Sequence, residues 1–243
     1  LTPLAQFLDN LFGRLLDEGR VAELRLVLEH DQRAHLAEPG VARDQVQPTL
    51  QILQLRSGGL VAYGGFLGGA KAQEEDLARC SALYTCQLTQ RAYYDENRAS
   101  GSMLYSDHLI YSPAVPFFRD DRLELLERPF LLSILTSPAP NAGEASRQGR
   151  NEGGRVNAVL EARAATVLAV AAARGHRTLV LGAWGCGVFR NDPAVVARAF
   201  DRWLAHPRFV GAFERVVFAI YDRGQRGPNL RAFEERFGNS PAR

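Results

Sequence analysis

From Arg155 to Phe237 the sequence alternates helical stretches with short apolar runs, and this alternation restricts the fold more than any other feature. A long helix is expected over about Arg155 to Arg174. Gly175 closes it, since glycine best tolerates the left-handed cap of a helix C-terminus. Thr178 to Leu181 follows as a strand. It is apolar after its first residue and so reads as buried on both faces, as strands of parallel sheets are. Asp192-Pro193 opens the next helix, with Asp as N-cap and Pro in the first turn. Val216 to Ile220 reads as a last buried strand, followed by a short helix near Leu230 to Phe237. Such alternation predicts an α/β domain of three layers, with helices on both faces of a sheet.

Upstream the signals are more varied. Leu4, Phe7, Leu8, Leu11, Phe12 and Leu15 recur at helical steps, and a second apolar face runs from Val21 to Leu28. The first forty residues therefore read as two helices parted by Gly19, with Pro39-Gly40 as a turn. Leu50 to Leu55 is a plausible strand, and Gly58 to Gly69 is glycine-rich. One helix is expected from about Gln73 to Gln90, with Leu77, Cys80, Leu83, Tyr84 and Leu88 on one side. The middle reads as loop-rich, with short strands at Leu109 to Tyr111 and Phe130 to Leu135. The polar stretch Gly143 to Gly154 reads as a mobile loop. There is no internal repeat and no interdomain linker. The economical division is a helical extension over residues 1–45 and an α/β domain over 46–243, forming one structural unit.

Composition excludes several classes. A chain of 243 residues can bury a sizeable core without disulfide or metal staples. With 46% hydrophobic and 23% charged residues it is neither disordered, collagen-like nor a coiled coil. Its longest uninterrupted apolar run, Val167 to Ala173, falls far short of the twenty or so residues that span a bilayer, and no membrane partner is expected. A net charge of +2 lacks the basic excess of many nucleic-acid binders, so no direct nucleic-acid contact is expected. Lys71 is the sole lysine. Arginine in its place suits bidentate phosphate contacts, although a GC-rich genome gives the same bias. Three cysteines, an odd number, argue against a disulfide framework, and no His/Cys cluster has zinc-ligand spacing. No metal or cofactor is expected. With no signal peptide visible, a cytoplasmic setting is the default. Met103 is the only methionine, so the natural N-terminus is expected upstream.

Two loops carry chemistry. The first, Tyr63 to Glu75, holds Gly64, Gly65, Gly68 and Gly69 between an expected strand and an expected helix, where ligands bind in α/β sheets. Glu74 and Glu75 fall in the first helical turn. Acids there can simply complement the helix dipole. Beside a glycine-lined pocket, a carboxylate can also act as general acid and base in glycoside cleavage. Adjacent helical residues point about 100° apart, so the two carboxylates need not share a task. The second loop, Leu181 to Pro193, also joins a buried strand to a helix. Gly185 and Gly187 would free short-loop amides to face an anion. Cys186 as a nucleophile is disfavoured, since no histidine lies near it in sequence. A nicotinamide-type redox site is disfavoured because GxGxxG spacing is missing from the first loop.

The segments Gly64-Gly65-Phe66-Leu67-Gly68-Gly69-Ala70-Lys71-Ala72-Gln73-Glu74-Glu75 and Gly182-Ala183-Trp184-Gly185-Cys186-Gly187-Val188-Phe189-Arg190-Asn191-Asp192-Pro193 resemble the signatures of microbial-type poly(ADP-ribose) glycohydrolases. Between them, Tyr111 to Asp121 and Thr136 to Asn141 are also similar to that family. The likeness runs in the family's order from about Gly64 to Asp222. It implies a macrodomain-like three-layer α/β/α fold with a mixed sheet, here with the N-terminal helical extension.

The resemblance also implies roles. Glu75 would be the catalytic acid and base, and Glu74 would hold ribose hydroxyls at the scissile linkage. Gly64, Gly65, Phe66, Gly68, Gly69 and Gln73 would line the substrate. Gly185, Cys186, Gly187, Val188 and Phe189 would wrap the diphosphate, with Phe189 packing on the distal ribose. Tyr221 would pack on adenine, or else is a core tyrosine. The implied reaction is exo-acting hydrolysis of the ribose–ribose O-glycosidic bond, releasing ADP-ribose. The implied partners are poly(ADP-ribose) or ADP-ribose and ADP-ribosylated proteins, met by a monomer. The chain departs from the family pattern at Val61 and Tyr63, where asparagine and glycine are usual. Val61 cannot make asparagine's hydrogen bonds, and Tyr63 adds bulk where close backbone approach is expected. That departure motivates one alternative to the glycohydrolase, a non-catalytic ADP-ribose reader; a mono-ADP-ribosyl hydrolase is a further alternative.

Overall fold

The computed structural model describes residues 73–120, 122–149, 153–222 and 227–238 and, as backbone only, 21–27 and 49–55. Six strands form one mixed sheet in the order β1-β6-β5-β2-β4-β3. They are β1 (Val21–Val27), β2 (Thr49–Leu55), β3 (Ile110–Arg119), β4 (Leu125–Pro138), β5 (Thr178–Gly182) and β6 (Arg215–Tyr221). The four central strands are parallel, and β1 and β3 close the two edges antiparallel to β6 and β4. The helices are α1 (Gln73–Cys80), α2 (Leu83–Leu88), α3 (Arg91–Ala99), α4 (Ala142–Arg147), α5 (Gly153–Ala173), α6 (Pro193–Leu204) and α7 (Pro228–Phe237).

The three layers follow from the two-residue period of the strands. Along β4, Leu132 and Ile134 join one buried cluster and Leu135 joins the other, so successive side chains feed opposite faces. On one face α5, α6 and α7 cover Leu179 and Leu181 of β5 and Val216, Phe218 and Ile220 of β6. On the other, Leu83 of α2 and Leu77 and Cys80 of α1 pack against Val115, Phe117, Phe130, Leu132 and Ile134 of β3 and β4. Stacked rings tighten both sides: Phe218 on Phe237 at 4.6 Å and Phe117 on Phe130 at 5.3 Å.

The C-terminal half follows its local signals. The β5 residues Leu179, Val180 and Leu181 are all buried. Gly175 has φ +74°, as a C-terminal cap requires. The Asp192 side chain accepts from the Ala194 amide at 2.8 Å, and Pro193 begins α6. Helix α5 is long and apolar enough to cross a membrane by length and composition. Here Val156, Leu160, Ala164, Val167, Leu168 and Ala171 are instead buried in the core. Arg163 on the same helix is 3% exposed. Its guanidinium donates to Asp107 Oδ1 and to the carbonyls of Pro138 and Tyr105, which pins the C-terminal end of β4.

Four expectations are corrected. The helix expected over Val21 to Leu28 is strand β1 as far as Val27. Its apolar residues Ala22, Leu24 and Leu26 alternate with Glu23 and Arg25, and pairing with β6 satisfies the backbone that a lone helix would satisfy internally. Part of the expected helical extension thus belongs to the sheet, while the helix expected over Leu4 to Leu15 lies outside the described residues. The single helix expected from Gln73 to Gln90 is two helices. Ser81 bridges to Phe117, and the Ala82 amide donates to the Pro116 carbonyl at 3.1 Å. The Ser81 hydroxyl bonds both turns, donating to the Leu77 carbonyl and accepting from the Leu83 amide.

The expected loop-rich middle contains α3 and two long strands. Helix α3 has no apolar stripe beyond Tyr93 and Tyr94, which are both buried, so periodicity could not show it. The polar stretch expected to be a mobile loop begins with α4. Asn141 caps α4 by accepting from the Glu144 amide at 3.0 Å, and Asn-x-x-Glu is a helix-start signal that its polarity masked.

Candidate active site

Strands β2, β4, β5 and β6 run parallel, so their C-terminal ends at Leu55, Pro138, Gly182 and Tyr221 share one edge of the sheet. Loops leaving such an edge are where open α/β sheets bind ligands. The first glycine loop follows β2. Gly64, Gly65, Phe66, Gly68 and Gly69, with Val61 and Tyr63, lie outside the described residues. Its far end is described: Gln73, Glu74 and Glu75 form the first turn of α1.

The two carboxylates differ in surroundings, as their offset around the helix implies. Glu74 is half-buried, and its carboxyl group faces inward. Oε1 accepts from Gln87 Nε2 and from the Tyr94 hydroxyl, each at 2.8 Å. Gln87 Nε2 also reaches Thr136 Oγ1 at 3.3 Å. Burial raises the Glu74 pKa from the ordinary 4.5 to about 7, against the lowering effect of Tyr94 and with a further rise from the Glu75 charge. Glu75 is half-buried and Gln73 is exposed.

The break between α1 and α2 makes this constellation possible. Gln87 lies 13 residues beyond Glu74. In one continuous helix at about 1.5 Å per residue the two would stand roughly 20 Å apart. Turning the chain at Ser81 brings Gln87 back to the start of α1, and α3 brings Tyr94 to the same oxygen.

The raised pKa has a consequence for stability. Below about 4.5 the carboxyl is protonated folded or unfolded, and the full contribution of this group to stability is present; as pH rises through about 7 it is lost, because the folded chain holds the proton more tightly. Wild type is therefore expected to lose stability relative to Glu74→Gln between about pH 5 and about pH 8 in urea titrations. Parallel pH profiles for the two proteins would show that the carboxyl is not desolvated.

The second loop is built around Gly185, whose φ is +72°. A Cβ there would stand 2.2 Å from Asn191 Nδ2 and 2.9 Å from the Ala139 Cβ. The turn is closed by the Cys186 amide on the Ala183 carbonyl, the Asn191 amide on the Gly185 carbonyl and the Arg190 amide on the Gly187 carbonyl. Among the described residues the amides of Gly187, Val188 and Phe189 donate no hydrogen bond. Successive unpaired amides in a short loop suit an anion. A Cβ on Gly187 would meet nothing within 4 Å, and Val188 is 58% exposed, so this part of the loop is open.

Three other positions are now placed. Burial pushes the Cys186 thiol pKa well up, aided by the charges of Asp192 and Asp222, so the nucleophile reading stays disfavoured. Phe189, expected on the distal ribose, is 3% exposed. Its ring lies 6.1 Å from that of Tyr105 and its carbonyl accepts from the Gly143 amide, so little of it is left for a ligand. Tyr221 is 57% exposed, which removes the core reading of that residue. Sequence reasoning missed Gln87, Tyr94 and Thr136, whose link to Glu74 has no signal in spacing.

Glu74 and the second loop meet through β4. Thr136 reaches Gln87, and Ala139 abuts the Gly185 turn. Ala139 lies three positions beyond Thr136, at most about 11 Å of extended chain. The acidic start of α1 and the amide-lined loop thus stand at the same sheet edge.

The family model of the microbial-type PARG catalytic domain matches residues 60–120. No curated protein matches the sequence. Among solved structures, the poly(ADP-ribose) glycohydrolase from Deinococcus radiodurans in complex with ADP-ribose is 47% identical, with a TM-score of 0.71, over 79% of this chain and 76% of that one. The enzyme from Thermomonospora curvata is 46% identical with a TM-score of 0.72, over 80% of this chain and 70% of that one. The same enzyme bound to the inhibitor ADP-HPD matches at 46% identity and a TM-score of 0.72, over 80% and 72% of the two chains. Identity this high over most of both chains, with the backbones matching at these TM-scores, places the sequence within the group it resembles: this chain belongs to the microbial-type poly(ADP-ribose) glycohydrolases.

Proposed function

We propose that this chain hydrolyses the ribose–ribose O-glycosidic bond of poly(ADP-ribose), working inward from the chain end to release ADP-ribose. The observation that carries the reading is the acidic start of α1 at the sheet edge that also carries three unpaired amides, Gly187 to Phe189. The amides would hold the diphosphate, with Gly185 shaping their turn. Tyr221, exposed at the end of β6, would pack on adenine. These contacts fix the sugar before reaction, which is worth a large part of a barrier.

Glu74, held from within the protein, would hold ribose hydroxyls through its carboxyl group. Glu75, about 100° further round the helix, would face the acetal. Its carboxyl proton passes to the departing oxygen as the bond to the anomeric carbon breaks. The resulting carboxylate then takes a proton from the water that adds to the oxocarbenium-like carbon. ADP-ribose leaves, and the shortened polymer keeps the departing oxygen as a hydroxyl. ADP-ribosylated proteins would be the natural carriers of the polymer, met in the cytoplasm by a monomer without direct nucleic-acid or membrane contact.

Incubation with labelled poly(ADP-ribose) is expected to release ADP-ribose. Absence of release with ADP-ribose binding intact would reject hydrolysis of the polymer. It would favour a non-catalytic reader, the alternative that Val61 and Tyr63 support. A panel adding mono-ADP-ribosylated proteins separates removal of a single unit from polymer cleavage.

A further inference from the structure

We propose that Tyr94 and Gln87 are positioning residues for this reaction: they grip one oxygen of the Glu74 carboxyl group and so aim the other at the sugar. The proposal rests on the reading of the site given above. Both donors converge on Oε1, at 2.8 Å each, and among the described residues Oε2 accepts no hydrogen bond. A carboxyl group tied by one donor can still swivel about its last bond. Two donors from different helices fix its plane, and they leave the second oxygen as the one that can reach outward.

The donors are themselves fixed. Tyr94 is 3% exposed and makes an edge-on contact with Tyr93 at 5.0 Å. Gln87 is 4% exposed, and its Nε2 is shared with Thr136 of β4 at 3.3 Å. Neither can swing into solvent without leaving a cavity. The grip therefore draws on α2, α3 and β4 to set one side chain of α1.

A dipole-complementing acid would not need this. Such an acid gains its stabilisation at the surface, where water solvates the charge, and drawing it inward costs free energy that only hydrogen bonds offset. The chain breaks a helix at Ser81 and folds back to supply one of those bonds. That expense is intelligible if the orientation of the carboxyl group matters. The groups that face it are Glu75 of α1, Gln87 of α2 and Tyr93 and Tyr94 of α3, with Thr136 of β4 behind Gln87.

Tyr94→Phe removes a single oxygen, and Gln87→Met removes the donor while keeping side-chain length. Each is expected to lower kcat about 10- to 100-fold, the range for losing a hydrogen bond to a charged group, with KM within about threefold. Thermal melts on the same samples show whether the loss exceeds any fall in folded fraction. In the free protein the Glu74 titration, followed through a 13C-labelled carboxyl carbon, is expected to move to higher pH in Tyr94→Phe, because a bond to the charged form is lost. Wild-type kcat in both variants, an activity loss matching only the unfolded fraction, or an unmoved titration would each overturn the proposal. Those results with an active wild type sink this proposal alone, whereas a wild type inert toward the polymer sinks the functional reading and this one with it.

Discussion

Glu75→Gln is expected to cut release of ADP-ribose from the polymer by about 10²- to 10⁴-fold while leaving ADP-ribose affinity within about threefold. Glutamine keeps the size and most of the hydrogen bonding of glutamate but cannot give up or take back a proton. In the proposed sequence the same carboxyl group acts twice, first on the departing oxygen and then on water, so both steps lose their catalyst together. Glu75 is half-buried in the first turn of α1, and glutamine matches its shape there. The fold should therefore tolerate the change. Single-turnover release of labelled ADP-ribose and calorimetric binding of ADP-ribose measure the two halves of the claim. Unchanged turnover would move the chemistry to another group, and loss of both turnover and binding would make Glu75 part of the scaffold.

Gly185→Ala should disable the second loop by a different route. At φ +72° an alanine is strained by about 1–2 kcal/mol, and its Cβ would sit 2.2 Å from Asn191 Nδ2 and 2.9 Å from the Ala139 Cβ. Asn191 is buried and donates to the Trp184 carbonyl, so it has little room to retreat. With the overpacking included, the expected destabilisation is about 2–5 kcal/mol, read from urea titrations. Gly187→Ala is the contrast. A Cβ there meets nothing within 4 Å, so stability should hold. If the diphosphate lies against this loop, that Cβ enters the ligand's space, and loss of one amide–phosphate bond would weaken ADP-ribose by about tenfold or more. Equal effects of the two alanines on stability would show that the loop is not built as described. Unchanged ADP-ribose affinity in Gly187→Ala would place the diphosphate elsewhere.

In the sequence the two glycines are equivalent, as paired releases of a short loop. Their surroundings part them: one is required by packing behind it, the other by what would lie in front. Phe189 and Tyr221 divide in the same manner. Both are aromatics near strand ends, yet one is buried beneath the loop and the other stands in solvent. Burial of a given residue depends on which distant segments reach it, and spacing along the chain does not carry that information.

Where structure is settled by neighbours in sequence, the sequence was sufficient. Gly175, Asp192-Pro193 and the apolar cores of β5 and β6 mark their own elements, because capping bonds and strand burial patterns act over a few residues. The Gln73-Glu74-Glu75 triplet was visible for the same reason, as the opening of a helix. The tertiary structure alone decided that α1 ends at Cys80, that α3 exists, and that Val21–Val27 is a strand. It also decided what each glutamate can do. The donors to Glu74 stand 13 and 20 residues away on other helices, and only the packing of those helices brings them to one oxygen. A carboxyl group's charge and orientation are set by the water and donors around it, which are properties of the folded surface and not of the residue's own short stretch of chain.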